Sequence, residues 1–138
     1  MKKLAIISEF NPFHNGHKYL IDKAKEITKA EIAISLMSGD FVQRGEASLI
    51  DKYSRADVAL ANGFDLVIEM PNFISLQSAE FFAFKSIKLL NKLKIDYLAF
   101  GIENIDSEKF LEISDKIINN SEKLEELTRY YLNNKNSF

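Results

Sequence analysis

His14 and His17 are separated by two residues, and Gly16 directly precedes the second. They belong to the string Asn11-Pro12-Phe13-His14-Asn15-Gly16-His17, which follows the first apolar run of the chain, residues 4–7. At a strand-to-helix turn such residues can hold a nucleotide phosphate. Glycine lets a ligand approach the backbone closely, and a helix start presents unpaired N–H groups at the positive end of its dipole. Imidazoles add donors for phosphate oxygens. The neighbours fit this use. Asn11, lying before Pro12, is kept out of the helical region and gives an extended approach to the turn. Phe13 can anchor the turn in the core, Asn15 is a good N-cap, and Gly16 leaves space for a phosphate over the helix start. The bland alternative is a pair of surface histidines. The placement after the first strand favours the phosphate site, because open parallel sheets bind ligands beyond the carboxyl ends of their strands. A metal dyad is the rival chemistry, and it lacks nearby ligands except Glu9.

Other residues could join this chemistry. The segment 37–46 holds Ser38-Gly39-Asp40 and Arg44-Gly45. Arg44 could offer its planar fork to a phosphate or a carboxylate. An ordinary loop would account for the serine and glycines, and Asp40 could be a turn or helix cap. Tyr53, Ser54, Arg55 and Asp57 open a helix, where solvated or packing roles are expected. Glu69 reads as a rim carboxylate. Gln77, Ser78 and Glu80 open a long helix and could border the site.

Strands and helices alternate around these residues. Strands are expected at 4–8, 31–36, 65–70 and 95–100, with a loop over 37–49. Leu20, Ala24 and Ile27 mark the apolar stripe of a first helix from Asn15. Residues 51–62 form a second, stopped by Gly63 at a C-cap position. Ala79, Phe82, Ala83, Ser86, Leu89, Leu90 and Leu93 recur at helical spacing and predict a strongly amphipathic helix. Phe110, Leu111, Ser114, Ile117 and Ile118 mark a further helix capped by Ser107, and Leu124, Leu127 and Tyr131 mark one more. The alternation predicts an α/β fold, a doubly wound parallel sheet with right-handed crossovers. In strand order 3-2-1-4 the first and fourth strands are neighbours at the switch point. Gly101, directly after the fourth strand, would then share one crevice with the histidine turn and let an adenosine come close. Residues 1–104 read as the core and 105–138 as a helical extension.

Composition narrows the class. With 138 residues, 46% of them hydrophobic, the chain is long enough for one domain with a sizeable core. The net charge of −2 gives no global attraction to nucleic acid. Arg44, Arg55 and Arg129 are dispersed. Zero cysteines exclude disulfides and thiolate metal sites and fit a reducing cytoplasm. No metal site is expected from two histidines in one motif. No apolar run approaches transmembrane length. The final stretch, Asn133-Asn134-Lys135-Asn136-Ser137-Phe138, reads as a cut rather than a natural closing element.

The histidine string resembles the HxGH signature of the nucleotidyltransferase-like superfamily. The chain is also similar to one family within it, the bacterial tRNA(Met) cytidine acetate ligases. The likeness is carried by Glu9-Phe10-Asn11-Pro12-Phe13-His14-Asn15-Gly16-His17, residues 37–46, Asp65-Leu66-Val67-Ile68-Glu69-Met70-Pro71, Gln77-Ser78-Ala79-Glu80 and Asp96-Tyr97-Leu98-Ala99-Phe100-Gly101. These run in the family's order, and the likeness fades beyond Glu103. Asp40 replaces the usual asparagine, Ala47-Ser48 a proline–alanine pair, and Ile102 a serine.

The resemblance implies a Rossmann-like nucleotidyltransferase fold and an ATP-dependent ligase. Such enzymes make acetyl-adenylate from ATP and acetate, then acetylate the wobble cytidine of elongator tRNA(Met). It implies ATP contacts from Ile7, Ser8, Glu9, Phe10, Asn11, Pro12, Phe13, His14, Asn15, Gly16, His17, Lys18, Tyr19 and Leu20, and a nucleoside contact from Gly101. His14 and His17 would stabilise phosphate charge during adenylyl transfer, and Mg²⁺ would accompany the phosphates. The family's proteins are much longer. Their later part supplies a further asparagine and arginine to the ATP site and much of the tRNA surface, so a truncated N-terminal domain is expected here. The alternatives are a small-molecule adenylyltransferase of the same superfamily, a nucleotide-binding module without turnover, and a fragment that works only beside another chain.

Overall fold

The computed structural model describes residues 1–102 and 104–133, Arg44 by its backbone alone. The chain forms two compact units, Met1–Gly101 and a second beginning at Ile102. In the first unit, β1 (Lys3–Ser8), β2 (Ile32–Ser38), β3 (Leu66–Met70) and β4 (Tyr97–Leu98) form a parallel sheet in the order β3-β2-β1-β4.

β1 is apolar at successive positions because both faces of the sheet are covered. Leu4 and Ile6 pack with Ile21 and Ala24 of α1 (Asn15–Thr28) and Ala59 of α2 (Lys52–Ala61). Ala5 and Ile7 face the other way, toward Ile74 of α3 (Asn72–Ser75) and Leu90 of α4 (Ala79–Lys92). The period-two alternation of strand side chains thus assigns one helix pair to each face. All the C-terminal strand ends lie on one edge, and the turn carrying the histidines leaves from the central strand β1.

Several local expectations are corrected. The N-cap of α1 is His14, not Asn15. Ile27 lies outside the packed stripe of α1 and is 71% exposed; Ile21, next to Leu20, is buried in its place. β2 runs two residues further than expected, through Met37 and Ser38, because Met37 and Ser38 pair with Glu69 and Met70 of β3. β4 keeps only Tyr97 and Leu98 of the expected 95–100, as an edge strand paired to Leu4 and Ala5. The loop after β2 contains a 3₁₀ turn, Gln43–Gly45, and a Phe41–Ala47 antiparallel bridge. α3 was not expected. Pro71 is its N-cap, and the Ile74 and Ser75 N–H groups turn back onto the Pro71 carbonyl. On α4, Phe82, Ser86, Leu89 and Leu90 face inward, whereas Ala79 and Ala83 are exposed. α2 is capped by Asp51, whose carboxylate accepts from the Tyr53 and Ser54 N–H groups, and it ends at Asn62 before Gly63 at φ 110°.

The second unit holds α5 (Ser107–Asn119) and α6 (Ser121–Asn133). The N-cap of α5 is Asp106 rather than Ser107, through a bond from the Lys109 N–H. The expected cut falls on residues 133–138, of which Asn133 ends α6 and 134–138 lie outside the described residues. Among the described residues no helix is long and apolar enough to cross a membrane.

Candidate functional site

The chain leaves β1 through a sharply specified turn. Phe10 adopts φ 48° and the Asn11–Pro12 peptide is cis. A left-handed backbone is costly for a side chain with a Cβ, so it persists only where its surroundings hold it. The Phe10 ring is buried, with centroids 4.9 Å from Phe13, 4.9 Å from His17 and 5.5 Å from Phe64. Side-chain and backbone groups hold the turn from outside. The Gln43 N–H donates to Glu9 Oε1 at 2.7 Å, and the Leu49 N–H donates to Asn11 Oδ1 at 2.7 Å. The loop after β2 is therefore fastened to the histidine turn at two points.

The two histidines cap α1 reciprocally. The Gly16 N–H donates to His14 Nδ1 at 3.1 Å, and the His14 N–H donates to His17 Nδ1 at 3.2 Å. This is a capping box in which imidazoles replace the usual Ser and Glu. The rings stack with centroids 3.7 Å apart and planes 26° apart. Because each Nδ1 accepts, the proton of each neutral ring sits on Nε2. Burial, and after it the nearby His14, lower the pKa of His17 from its ordinary value. Burial thus favours the neutral form of His17, and an accepting Nδ1 leaves Nε2 of each ring as the position for a donor proton.

Gly16 has a further reason beyond ligand space. A Cβ there would lie 2.9 Å from His14 Cε1 and 3.0 Å from His14 Nδ1. Glycine lets the capping imidazole lie over the first turn.

A cleft of about 450 Å³ opens at this edge of the sheet. That is within the range of roughly 300–1,000 Å³ usual for small-molecule sites. The structure brings together Ile7, Ser8, Glu9, Phe10, Asn11, Pro12, His14, His17 and Leu20 in its wall, and adds Ile6, Gln43 and Phe82. Phe13 lies behind the wall against Phe10 and His17. Asn15, Gly16, Lys18 and Tyr19 do not line the cleft; Lys18 pairs with Asp22 and Tyr19 is exposed. Gly101 follows β4 at the same edge, where the Ala99 N–H donates to the Ala5 carbonyl at 3.0 Å, but it is not part of the cleft wall. Arg44 lies in the 3₁₀ turn, and its side chain is outside the described residues. Gln43, next to Arg44, carries no local sequence signal for the site and enters the wall only through the fold. Phe82 was placed on the inner face of its helix without a link to the site.

Glu69 is the expected rim carboxylate. Lys52 Nζ donates to its Oε1 at 2.8 Å and stands 3.6 Å from Asp40 Oδ2. Arg55, expected to be solvated or merely packed, is 2% exposed. Among the described residues there is no group of three or more His, Cys, Asp or Glu able to hold a metal ion.

The profile of the HIGH Nucleotidyl Transferase family matches residues 1–138. The chain belongs to this family. Relatives named tRNA(Met) cytidine acetate ligase include the protein of Clostridium acetobutylicum, 45% identical over 139 residues that cover 100% of this chain and 35% of that protein. The Pediococcus pentosaceus protein is 48% identical over 118 residues, 84% of this chain and 32% of its own length. This family member thus spans about a third of the length of the curated relatives it matches. A crystal structure of Thermotoga maritima TmcAL bound with alpha-thio ATP superposes with TM-score 0.83 at 38% identity, covering 100% of this chain and 34% of that one. A lipopolysaccharide core biosynthesis protein from Thermoplasma volcanium, 14% identical at TM-score 0.55, shares the fold alone. The expected nucleotidyltransferase fold and strand order 3-2-1-4 are borne out.

Proposed function

We propose that this chain is the ATP-binding, adenylyl-transfer part of a tRNA(Met) cytidine acetate ligase. The observation that carries the reading is the histidine cap at the cleft: two imidazoles whose Nδ1 atoms are committed to backbone N–H groups, each leaving Nε2 as the donor position. It is supported by the curated relatives' names and by the alpha-thio ATP in the Thermotoga maritima neighbour.

In this reading the phosphates lie against the start of α1, with His14 and His17 donating to their oxygens. The segment 7–20 holds the nucleotide, its cleft-lining members being residues 7–12, His14, His17 and Leu20, and Gly101 borders the nucleoside. Arg44 serves a phosphate or the acetate. A carboxylate oxygen of acetate attacks the α-phosphorus in line. The bond to the bridging oxygen breaks, pyrophosphate leaves and acetyl-adenylate remains. The exocyclic amine of the wobble cytidine then attacks the acetyl carbonyl, releasing AMP and a proton. Positioning and stabilisation of phosphate charge carry the first step, and no protein nucleophile is required.

The residues present do not form a Mg²⁺ site by themselves. Glu9 is the one carboxylate in the described cleft wall, and its Oε1 already accepts from Gln43. Mg²⁺ would enter with the phosphates, as is usual for this ion. An enzyme of tRNA working with ATP belongs in the cytoplasm, and the proposal places the chain there.

One observation favours the second reading, a nucleotide-binding module without turnover. The described cleft wall contains no lysine or arginine, on which phosphate transfer leans heavily. ATP–pyrophosphate exchange with and without acetate separates the two. Acetate-dependent exchange supports the ligase part. ATP binding without exchange supports the module, and exchange indifferent to acetate points to a small-molecule adenylyltransferase.

A further inference from the structure

Arg55 is a buried cation that the proposed chemistry leaves unused. It sits on α2, behind the cleft, and all of its hydrogen bonds go to backbone carbonyls. Nε donates to the Ile50 carbonyl at 2.9 Å. One Nη donates to the Glu9 carbonyl at 2.6 Å and to the Ser38 carbonyl at 3.2 Å, and the other donates to the Gly39 carbonyl. Burial lowers its pKa, while the carboxylates of Asp40, Asp51, Glu9 and Glu69 oppose that shift. A guanidinium stays charged under such conditions.

The four carbonyls are the informative part. Glu9 is the last residue before the strained Phe10 and the root of the histidine turn. Ser38 and Gly39 close β2 and begin the loop that carries Gln43, while Ile50 ends that loop. The planar fork of Arg55 therefore meets two segments that both contribute to the cleft wall, the turn through Glu9 and the loop through Gln43. Its bond to the Glu9 carbonyl fixes the peptide that sets the direction of Phe10, and Phe10 in turn packs against His17. A lysine has one ammonium point charge and cannot make this set of bonds in one plane.

We propose that Arg55 is a positioning residue for nucleotide binding, tying the root of the histidine turn to both ends of the loop after β2 so that the turn and Gln43 keep one geometry in the cleft wall. The proposal rests on the nucleotide-binding reading. It predicts that Arg55 acts on the histidines without touching the ligand.

The test uses the full 138-residue chain and the variants Arg55→Met and Arg55→Lys. Far-UV circular dichroism and thermal melting establish that each is folded at the temperature of measurement. Imidazole nitrogen shifts report whether Nδ1 of His14 and His17 is still the accepting, unprotonated atom. Calorimetry with ATP reports affinity. In the folded variants the proposal expects the two histidines to lose their single-tautomer signature and ATP affinity to fall at least tenfold, with Arg55→Lys restoring neither. Unchanged histidine shifts with ATP affinity within twofold of the parent would overturn it. So would failure of both variants to fold, which would make Arg55 a folding residue only. If the parent chain does not bind ATP, the nucleotide reading fails by itself, and the histidine shifts still decide whether Arg55 positions the turn.

Discussion

The imidazoles of His14 and His17 lie stacked, centroids 3.7 Å apart, and each supports the other's place at the head of α1. His14 caps the helix by accepting from the Gly16 N–H, while His17 reaches back to the His14 N–H. A pair fixed in this way is ready before a ligand arrives. Preorganised donors cost little rearrangement when charge develops on a phosphate.

Replacing both histidines with alanine should therefore weaken ATP more than adenosine. Hydrogen bonds to a charged group contribute about 1.5–3 kcal/mol each, so losing both should lower ATP affinity by roughly a hundredfold or more. Loss of the cap alone should destabilise the fold by about 1 kcal/mol. Calorimetric titrations with both ligands check this, and equal losses for ATP and adenosine would count against a phosphate role.

The lowered pKa of His17 fixes the sign of a pH effect. Its folded form binds a proton less readily than the unfolded chain, whose histidine titrates near 6.5. Its contribution to stability is full above that value and is lost as pH falls through the lowered folded pKa. Melting temperature should thus fall between pH 7.5 and pH 5.5 by more in the parent than in His17→Gln. Bound ATP should act in the opposite direction, since phosphate charge favours the imidazolium. His17 titration followed by NMR with and without ATP should show a higher midpoint in the complex.

Gly16→Ala isolates the geometry of the cap. Alanine is favoured over glycine in a helix by about 1 kcal/mol, which would offset part of the damage to stability. The added Cβ meets the His14 ring at 2.9 Å, and a side-chain ring can swing away. Stability should change by under about 1 kcal/mol while ATP affinity drops several-fold. Melting curves paired with titrations would show this separation; a variant with normal ATP affinity would remove the cap from the binding argument.

The parts of this site that sequence revealed are those that depend on neighbours in the chain. Asn11-Pro12, the two histidines and Gly16 specify a turn and a helix start within seven residues. The alternation of apolar runs places them beyond a central strand. Asn15 carries the usual cap signal but His14 takes the position, a role imidazoles rarely fill. Arg55 was not legible at all. Its sequence surroundings are those of an exposed helix start, and its burial arises only when the ends of β1 and β2 meet α2 with unpaired carbonyls. Phe82 and Gln43 reach the cleft for the same nonlocal reason. β4 came out shorter than its apolar run because an edge strand keeps only the pairs that β1 offers it.

Gly101 offers a direct test of where the nucleoside lies, because a Cβ there is unobstructed among the described residues. A Cβ built at this exposed position meets no atom of the described residues within 4 Å, and the backbone is outside the left-handed region. Gly101→Val should thus leave stability within about 0.5 kcal/mol of the parent, as ordinary surface substitutions do. If an adenosine packs against this backbone, the added methyl groups obstruct it whatever its phosphates do. ATP and adenosine should then lose affinity by the same factor, several-fold or more. The histidine variants are expected to separate the two ligands, and Gly101→Val is expected not to. Titration of one preparation with both ligands makes the comparison internal. Parent-like affinity for both in Gly101→Val would move the nucleoside away from β4 and confine binding to the described wall of the cleft.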